Sequence, residues 1–263
     1  MLSGLIGFKG DAMGKLDGKT AIVTGSSRGI GAEVALLLAA EGADVVINYR
    51  QKAPRANKVV SNIVDAGGKA VAVGADLTQD AGIQALINAA QDSFGGLDIL
   101  VLNASGGMET DLGQGYALRL NRDAQVNMLM AAAEIMPSGS RVVFVTSHQA
   151  HFIDSVETTA DYEAVARSKR AGEVALRKHI PELDARGITL VVVSGDMIEG
   201  TATTMLLERA NPGAVEVRRA EVGRLYSVGE FAAEVAEMAT APVPTGHIEY
   251  VGGTRTFQGD ATA

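Results

Sequence analysis

Thr24-Gly-Ser-Ser-Arg-Gly-Ile-Gly31 is the stretch on which the reading of this chain turns. It follows the strand-like run Lys19-Thr-Ala-Ile-Val23 and opens a helix-like run from Ile30 to Glu41. Glycines at this spacing let backbone approach a pyrophosphate closely. The helix start behind them presents free N–H groups and a partial positive charge. The segment points to a nucleotide cofactor and, with it, to redox chemistry.

The pattern around the loop alternates throughout. Strand-like runs are expected at 20–24, 44–48, 69–74, 97–102, 140–146, 187–193 and 247–251. Helices are expected at 29–41, 55–66, 80–93, 117–136, 160–180 and 229–240. Several strands are unbroken apolar runs, such as Ile99-Leu-Val-Leu102, Val142-Val-Phe-Val145 and Leu190-Val-Val-Val193. Such runs suit strands covered on both faces. Gly42, Gly67 and Gly95 close helices. The expectation is a single doubly wound α/β domain of Rossmann type, with a parallel seven-stranded sheet flanked by helices. It spans residues 13–263, behind a loose glycine-containing arm at 1–12 that lacks the basic start of a signal peptide.

Composition narrows the class. With 263 residues, 47% of them hydrophobic, the chain can bury one large core. A net charge of −8 argues against nucleic acid as a partner. No cysteine is present, which excludes disulfides and thiolate chemistry. Tryptophan is also absent, and no apolar run reaches the roughly 18–20 residues of a membrane helix. A soluble, cytoplasmic protein is expected.

In doubly wound folds ligands sit beyond the C-terminal ends of the strands. Those ends read Thr24-Gly25, Asn48-Tyr49-Arg50, Gly74-Ala-Asp76, Asn103-Ala104-Ser105-Gly106, Thr146-Ser147 and Ser194-Gly195. Taken in order, they resemble the short-chain dehydrogenase/reductase family over residues 16–253. Thr24 to Gly31 matches that family's T-G-x3-G-x-G loop, with Gly25, Ser27, Arg28, Gly29, Ile30 and Gly31 as cofactor contacts. Asp76-Leu77 matches the adenine pocket, and Asn103 to Gly106 resembles the N-A-G segment with a serine inserted. Ser147 matches the catalytic serine, Asn121 the helix asparagine that holds a proton-relay water, and Lys169 the active-site lysine. Ser194-Gly195 stands where the family usually has P-G.

One departure matters most. The resemblance calls for Tyr-x3-Lys, but the residue four before Lys169 is Val165, and the nearest tyrosine is Tyr162. Seven residues return to the same helix face at about 10 Å of rise rather than about 6 Å. A free tyrosine has a pKa near 10, and lowering it to about 7 takes roughly 4 kcal/mol. A lysine two turns away supplies much less of that than one a single turn away. The stretch from Ser147 to Lys169 is also longer than is usual in the family. Its extra residues, around His151 to Asp161, either carry Tyr162 to a substrate carbonyl or leave the site without its acid.

The resemblance implies hydride transfer between a nicotinamide and a carbonyl or alcohol. Ser147 would bond the carbonyl oxygen, Lys169 would grip the ribose, and Tyr162 is the candidate acid. His148 or His151 is an alternative acid, with a pKa near neutrality. As a His-x2-His pair they lack a third metal ligand, and no metal is expected. At the end of the second strand no acid follows Asn48, whereas Arg28, Arg50 and Lys52 are near. That favours a 2′-phosphate, hence NADP(H) and reduction of a ketone.

Residues 195–226 lie where the family has its substrate lid, and mix Met197, Ile198, Met205, Leu206 and Leu207 with Glu199, Glu208 and Arg209. The short, glycine-rich connection from Asn103 to Asn121 implies an open pocket for a bulky ketone, with Tyr116 as a candidate wall. Two other readings stand beside the reductase: an NADP-binding protein with little catalysis, and a non-redox reaction on the same scaffold. By resemblance, copies pair through 117–136 and 160–180 as a homodimer or homotetramer.

Overall fold

The chain's computed structural model describes residues 14–108, 113 and 115–258. The expected arm at 1–12 lies outside these residues. Seven strands form one sheet in the order Ala70–Gly74 (β3), Asp44–Tyr49 (β2), Thr20–Val23 (β1), Ile99–Leu102 (β4), Arg141–Ser147 (β5), Thr189–Gly195 (β6) and Ile248–Val251 (β9), every pair parallel. The first half runs β1 (Thr20–Val23), α1 (Gly29–Ala40), β2 (Asp44–Tyr49), α2 (Ala53–Asp65), β3 (Ala70–Gly74), α3 (Asp80–Phe94) and β4 (Ile99–Leu102). Strand order reverses between β1 and β4, which opens a crevice at their C-terminal ends.

Side chains alternate across the sheet and feed two cores. Val23, Val45, Ile47, Val101 and Val143 join one layer with residues of α1 and α2. Ile22, Val46, Leu100, Leu102, Val142 and Phe144 join the other with residues of α3. Burying each such side chain contributes about 1.5–3 kcal/mol, so the apolar runs drive both layers together.

After β4 come α4 (Tyr116–Leu118), a π turn at Arg119–Asp123 and α5 (Ala124–Ala133). The helix expected at 117–136 is therefore interrupted at Asn121. Next are β5 (Arg141–Ser147), the short α6 (His148–His151) and α7 (Ala160–Arg177). The buried face of α7 carries Tyr162, Val165, Ala166, Gly172, Glu173 and Leu176, at helical spacing. The helix expected to reach 180 stops at Arg177 and restarts as α8 (Ile180–Ala185), because Pro181 has no N–H for the Arg177 carbonyl and its ring would clash with that carbonyl in a continuous helix, whereas the first turn of a new helix tolerates it.

β6 (Thr189–Gly195) leads to the segment read as a lid. It contains β7 (Ile198–Glu199), α9 (Ala202–Ala210), α10 (Ala214–Val222) and β8 (Tyr226–Ser227), with β7 and β8 paired in parallel. α10 buries no residue and is held by charge. Arg218 donates to Asp196 at 2.8 Å, and Arg219 pairs with Glu199 and Glu216. The chain closes with α11 (Val228–Glu237), β9 (Ile248–Val251) and α12 (Arg255–Gln258).

Gly172 lets α7 cross the π turn. A Cβ there would lie 1.9 Å from the Asn121 carbonyl oxygen, which a helix backbone cannot yield cheaply. Gly172→Ala is expected to lower stability by about 1–3 kcal/mol, the range for overpacking. Urea denaturation checks this, and an unchanged midpoint counts against the close crossing.

Candidate active site

The glycine loop is fixed from beneath by one hydroxyl. Thr24 Oγ1 donates to the Val101 carbonyl at 3.2 Å and accepts the N–H groups of Asn103 at 2.9 Å and Ala104 at 3.0 Å. That exhausts one donor and two acceptor sites. Asn103 returns the tie, its amide donating to the Thr24 carbonyl at 2.9 Å. Asn48 is buried, accepts from Gly25 N at 2.9 Å and donates to the Ala75 carbonyl at 3.2 Å. Its side chain therefore shapes the loops after β1, β2 and β3 from behind.

Two local conformations open the loop towards a ligand. Gly25 and Gly29 take φ of +64° and +57°, which glycine adopts at low cost. Gly31 stands so close that a Cβ would lie 2.5 Å from the Asn103 amide nitrogen and 2.7 Å from the Gly25 carbonyl oxygen. The backbone there is bare of side chains at the N-terminus of α1, as a pyrophosphate cradle requires.

A cavity of about 770 Å³ runs from this loop across the strand ends to the segment around α9. Its nucleotide end includes Gly25, Ser27, Arg28, Gly29, Ile30, Gly31, Asn48, Tyr49 and Arg50. Asp76, Leu77, Asn103, Ala104 and Ser105 also line it. Lys52 and Arg55 join Arg28 and Arg50 there, so four cations gather where β2 ends. Arg50 donates to the Tyr116 hydroxyl and lies over its ring, 5.4 Å from the centroid. Tyr116 lines the cavity beside Arg50, at the end away from Ser147 and Tyr162. Asp76 folds back on Thr78, accepting its N–H at 2.9 Å and its hydroxyl at 2.8 Å.

At the other end Ser147, Tyr162 and Lys169 face the same space. The Ser147 and Tyr162 hydroxyl oxygens are 3.3 Å apart. Ser147 also caps α6, accepting from Ala150 N at 3.3 Å. Tyr162 is buried in the first turn of α7, among Ala150, Ile153, Ala166 and Leu207. Lys169 is half-buried and makes no hydrogen bond or ion pair with the described residues. Val165, where the resemblance calls for tyrosine, packs in that same apolar cluster.

Two expected site residues do not line the cavity. Asn121 is buried, and its amide donates to the Gly106 carbonyl at 2.8 Å and to Ser168 Oγ at 2.9 Å. Its carbonyl oxygen accepts from Gly106 N at 3.2 Å. Asn121 and Gly106 hold each other behind the wall, and Gln125 adds a bond to the Ala104 carbonyl at 2.9 Å.

The histidines also turn away. His148 is fully buried among Phe152, Tyr250 and Phe257, and its Nδ1 meets Ser194 Oγ at 2.8 Å. Burial pushes its pKa down to about 4, so the ring is neutral at pH 7. His151 bridges Glu173, at 2.8 Å from Nδ1, and the Tyr250 hydroxyl, at 2.9 Å from Nε2. Burial and the nearby Glu173 push the Tyr250 phenol up, which keeps its hydroxyl protonated. Among the described residues no cluster of three or more metal-ligating groups exists.

Arg55 and Gln149 line the cavity but were not among the expected residues. Arg55 follows Ala53-Pro54 at the start of the helix after β2, a position visible in the sequence. Gln149 sits between the two histidines that drew attention.

A dinucleotide-binding crevice with a serine–tyrosine pair and a lysine at its far end defines a class of nicotinamide-dependent oxidoreductases. The family model described as short chain dehydrogenase matches residues 19–211, and the chain belongs to that family. An uncharacterized oxidoreductase of Methylorubrum extorquens is 33% identical over 236 residues, covering 87% of this chain and 93% of that one. The crystal structure of a short chain dehydrogenase from Burkholderia cenocepacia in complex with NADP is 30% identical. It has a TM-score of 0.76, covering 90% of this chain and 97% of the other. The angucycline C-6 ketoreductase LanV with bound NADP is 29% identical, with a TM-score of 0.75 over 92% of this chain and 97% of that one. No helix among the described residues is long and apolar enough to cross a membrane.

His148 gives a pH test of this packing. Below about pH 6.5 the unfolded chain takes up a proton at His148 that the folded chain refuses until about pH 4. Stability is therefore lost as pH falls through that window, by up to about 3 kcal/mol from this group. Urea midpoints at pH 7.5 and pH 5 for the wild type and His148→Asn give the comparison. The variant should show the shallower acid loss, and parallel curves would place the ring in contact with water.

Proposed function

We propose that the protein is an NADPH-dependent ketone reductase in which Tyr162 is the proton donor. The observation that carries this reading is the 3.3 Å approach of Ser147 Oγ and Tyr162 Oη inside the cavity that also contains the glycine loop and Lys169. When bound, the nicotinamide supplies the hydride that adds to the carbonyl carbon. Ser147 and Tyr162 converge on the carbonyl oxygen and hold it as negative charge develops there. Tyr162 passes its proton to that oxygen, so one hydride and one proton convert the ketone to an alcohol. Lys169 extends to the ribose and adds positive potential to the site. Asn121, through Gly106, keeps the wall at 103–106 in place.

The preference for NADPH is supported by Arg28, Arg50, Lys52 and Arg55 at the end of β2, where no carboxylate stands to accept from a 2′-hydroxyl. The NADP complexes of two related structures support it further. Residues 195–226 serve as the lid, with Met197, Ile198, Met205 and Leu207 giving the substrate apolar walls. The acidic, cysteine-free composition fits a cytoplasmic setting. Pairing of copies through α5 and α7 fits the exposure of Val174 on α7.

One observation favours a second reading, a nucleotide-binding protein with little turnover. Val165 occupies the position one turn before Lys169, so the amine stands two turns from the phenol. Tyr162→Phe separates the two. On the reductase reading it lowers kcat by about 10²–10⁴ while NADPH affinity holds. Activity surviving in that variant removes Tyr162 as the acid, and a wild type that binds NADPH yet reduces no ketone favours the second reading.

Cofactor choice has its own test. Arg28→Ala and Arg55→Ala should each weaken NADPH binding roughly 10-fold to 100-fold and leave NADH binding almost unaltered. Calorimetry that finds NADH bound more tightly than NADPH by the wild type overturns the assignment.

A further inference from the structure

The reaction end of the cavity has few polar side chains left to meet a substrate. Thr204 donates to the Ile198 carbonyl at 2.7 Å, and Thr201 donates to the same oxygen at 3.0 Å. Asp196 is enclosed by Arg218 at 2.8 Å, Met197 N at 2.8 Å and Gly253 N at 3.2 Å. Ser147 and Tyr162 are engaged with each other and, on the reductase reading, are reserved for the reacting carbonyl. Ser105 and Thr203 are exposed, and the Thr146 hydroxyl, although unpaired among the described residues, is fully enclosed.

Gln149 is different. It lines the cavity in α6, two residues beyond Ser147. It is half-buried, and it makes no hydrogen bond with any described residue. Its amide offers two donors and an acceptor. Gln149 lines the same cavity as Tyr162 and Met205, so a ketone that fills this space would compete with water for that amide. An unpaired amide in such a place costs about tenfold to a hundredfold in affinity, so the substrate must answer it.

We propose that Gln149 is a specificity-determining residue that reads a second oxygen on the substrate. The substrates are neutral ketones carrying a further carbonyl or hydroxyl within a few bonds of the reacting one, such as 3-oxo esters and hydroxyketones. Neutrality follows from the walls. Met197, Ile198 and Leu207 are apolar, and the Arg218 charge is already neutralised by Asp196. The polar groups of such a site fix orientation, because few of them are available. With the second oxygen held by Gln149, the ketone can present only one face to the bound cofactor, so the same contact selects substrate and stereochemistry. This inference rests on the reductase reading above.

The test compares kcat/KM for ethyl 3-oxobutanoate and hexan-2-one, with NADPH, in the wild type and in Gln149→Met. Electrophilicity differs between the two ketones, but it cancels in the ratio of ratios. The preference for the oxo ester should fall roughly tenfold or more in the variant. Gln149→Glu keeps the acceptor and loses the donor, so it should lose the oxo ester preference while retaining one for 4-hydroxypentan-2-one over pentan-2-one. An unchanged oxo ester preference in both variants overturns the role of Gln149. If the wild type reduces neither ketone while binding NADPH, the reductase reading fails and this inference falls with it.

Discussion

Thr24 Oγ1 is a buried hydroxyl with every hydrogen-bonding capacity filled, and it sits where the sheet changes direction. Parallel strands diverge there because the connections after β1 and β4 leave on opposite faces. Divergence alone would expose the N–H groups of Asn103 and Ala104 to the crevice. Thr24 takes both and so draws the loop after β4 against the loop after β1. The glycine cradle and the wall at 103–106 are therefore one unit. Asn103 reinforces it from the other side, and its amide occupies the space that a Cβ on Gly31 would need. A crevice built this way is cross-tied at the end that carries the glycine loop.

The reaction end is constrained by where α7 begins. Thr159 caps the helix in extended backbone, and Tyr162 falls in its first turn. Ser147 has a parallel place at the start of α6. Two helix beginnings thus meet, which brings a phenol and a hydroxyl to 3.3 Å although 15 positions separate them in the chain. Residues 148–161 span the distance between Ser147 and the first turn of α7, and Val165 packs among Tyr162, Ile153 and Ala166. A tyrosine in the apolar slot of Val165 would also crowd Gly107, whose added Cβ would already lie 3.3 Å from Val165 Cγ2.

Strands and cofactor loop were legible in the sequence because they rest on local rules. Apolar runs such as Ile99 to Leu102 and Val142 to Val145 have one use in an alternating chain, and three closely spaced glycines have few. Element ends were less legible. The break at Pro181 was readable in principle, but the π turn at Arg119–Asp123 packs closely against Gly172, which lies on another helix. Side-chain commitments were not legible at all. Asn48 and Asn121 stand at positions where polar residues meet ligands, yet both serve backbone groups of neighbouring loops. Such pairings are set by tertiary approach, and no spacing along the chain encodes them.

The same limit explains the histidines, and here two oddities of the sequence account for each other. Serine stands at 194 where the resemblance expects proline, and histidine follows Ser147. In the folded chain Thr146 pairs with Ser194 across β5 and β6, so His148, two residues further on at the start of α6, can reach the serine hydroxyl. That bond and the rings of Phe152, Tyr250 and Phe257 hold the imidazole away from the cavity, and burial keeps it neutral. His151 is engaged by Glu173 and Tyr250. Of the tyrosines that line the cavity, Tyr49 and Tyr116 lie at the nucleotide end, Tyr116 beneath Arg50. On the reductase reading, the phenol beside Ser147 is the tyrosine hydroxyl at the reaction end of the cavity. The proposal of Tyr162 follows from where each competing acid is held, and it does not require the usual spacing to Lys169.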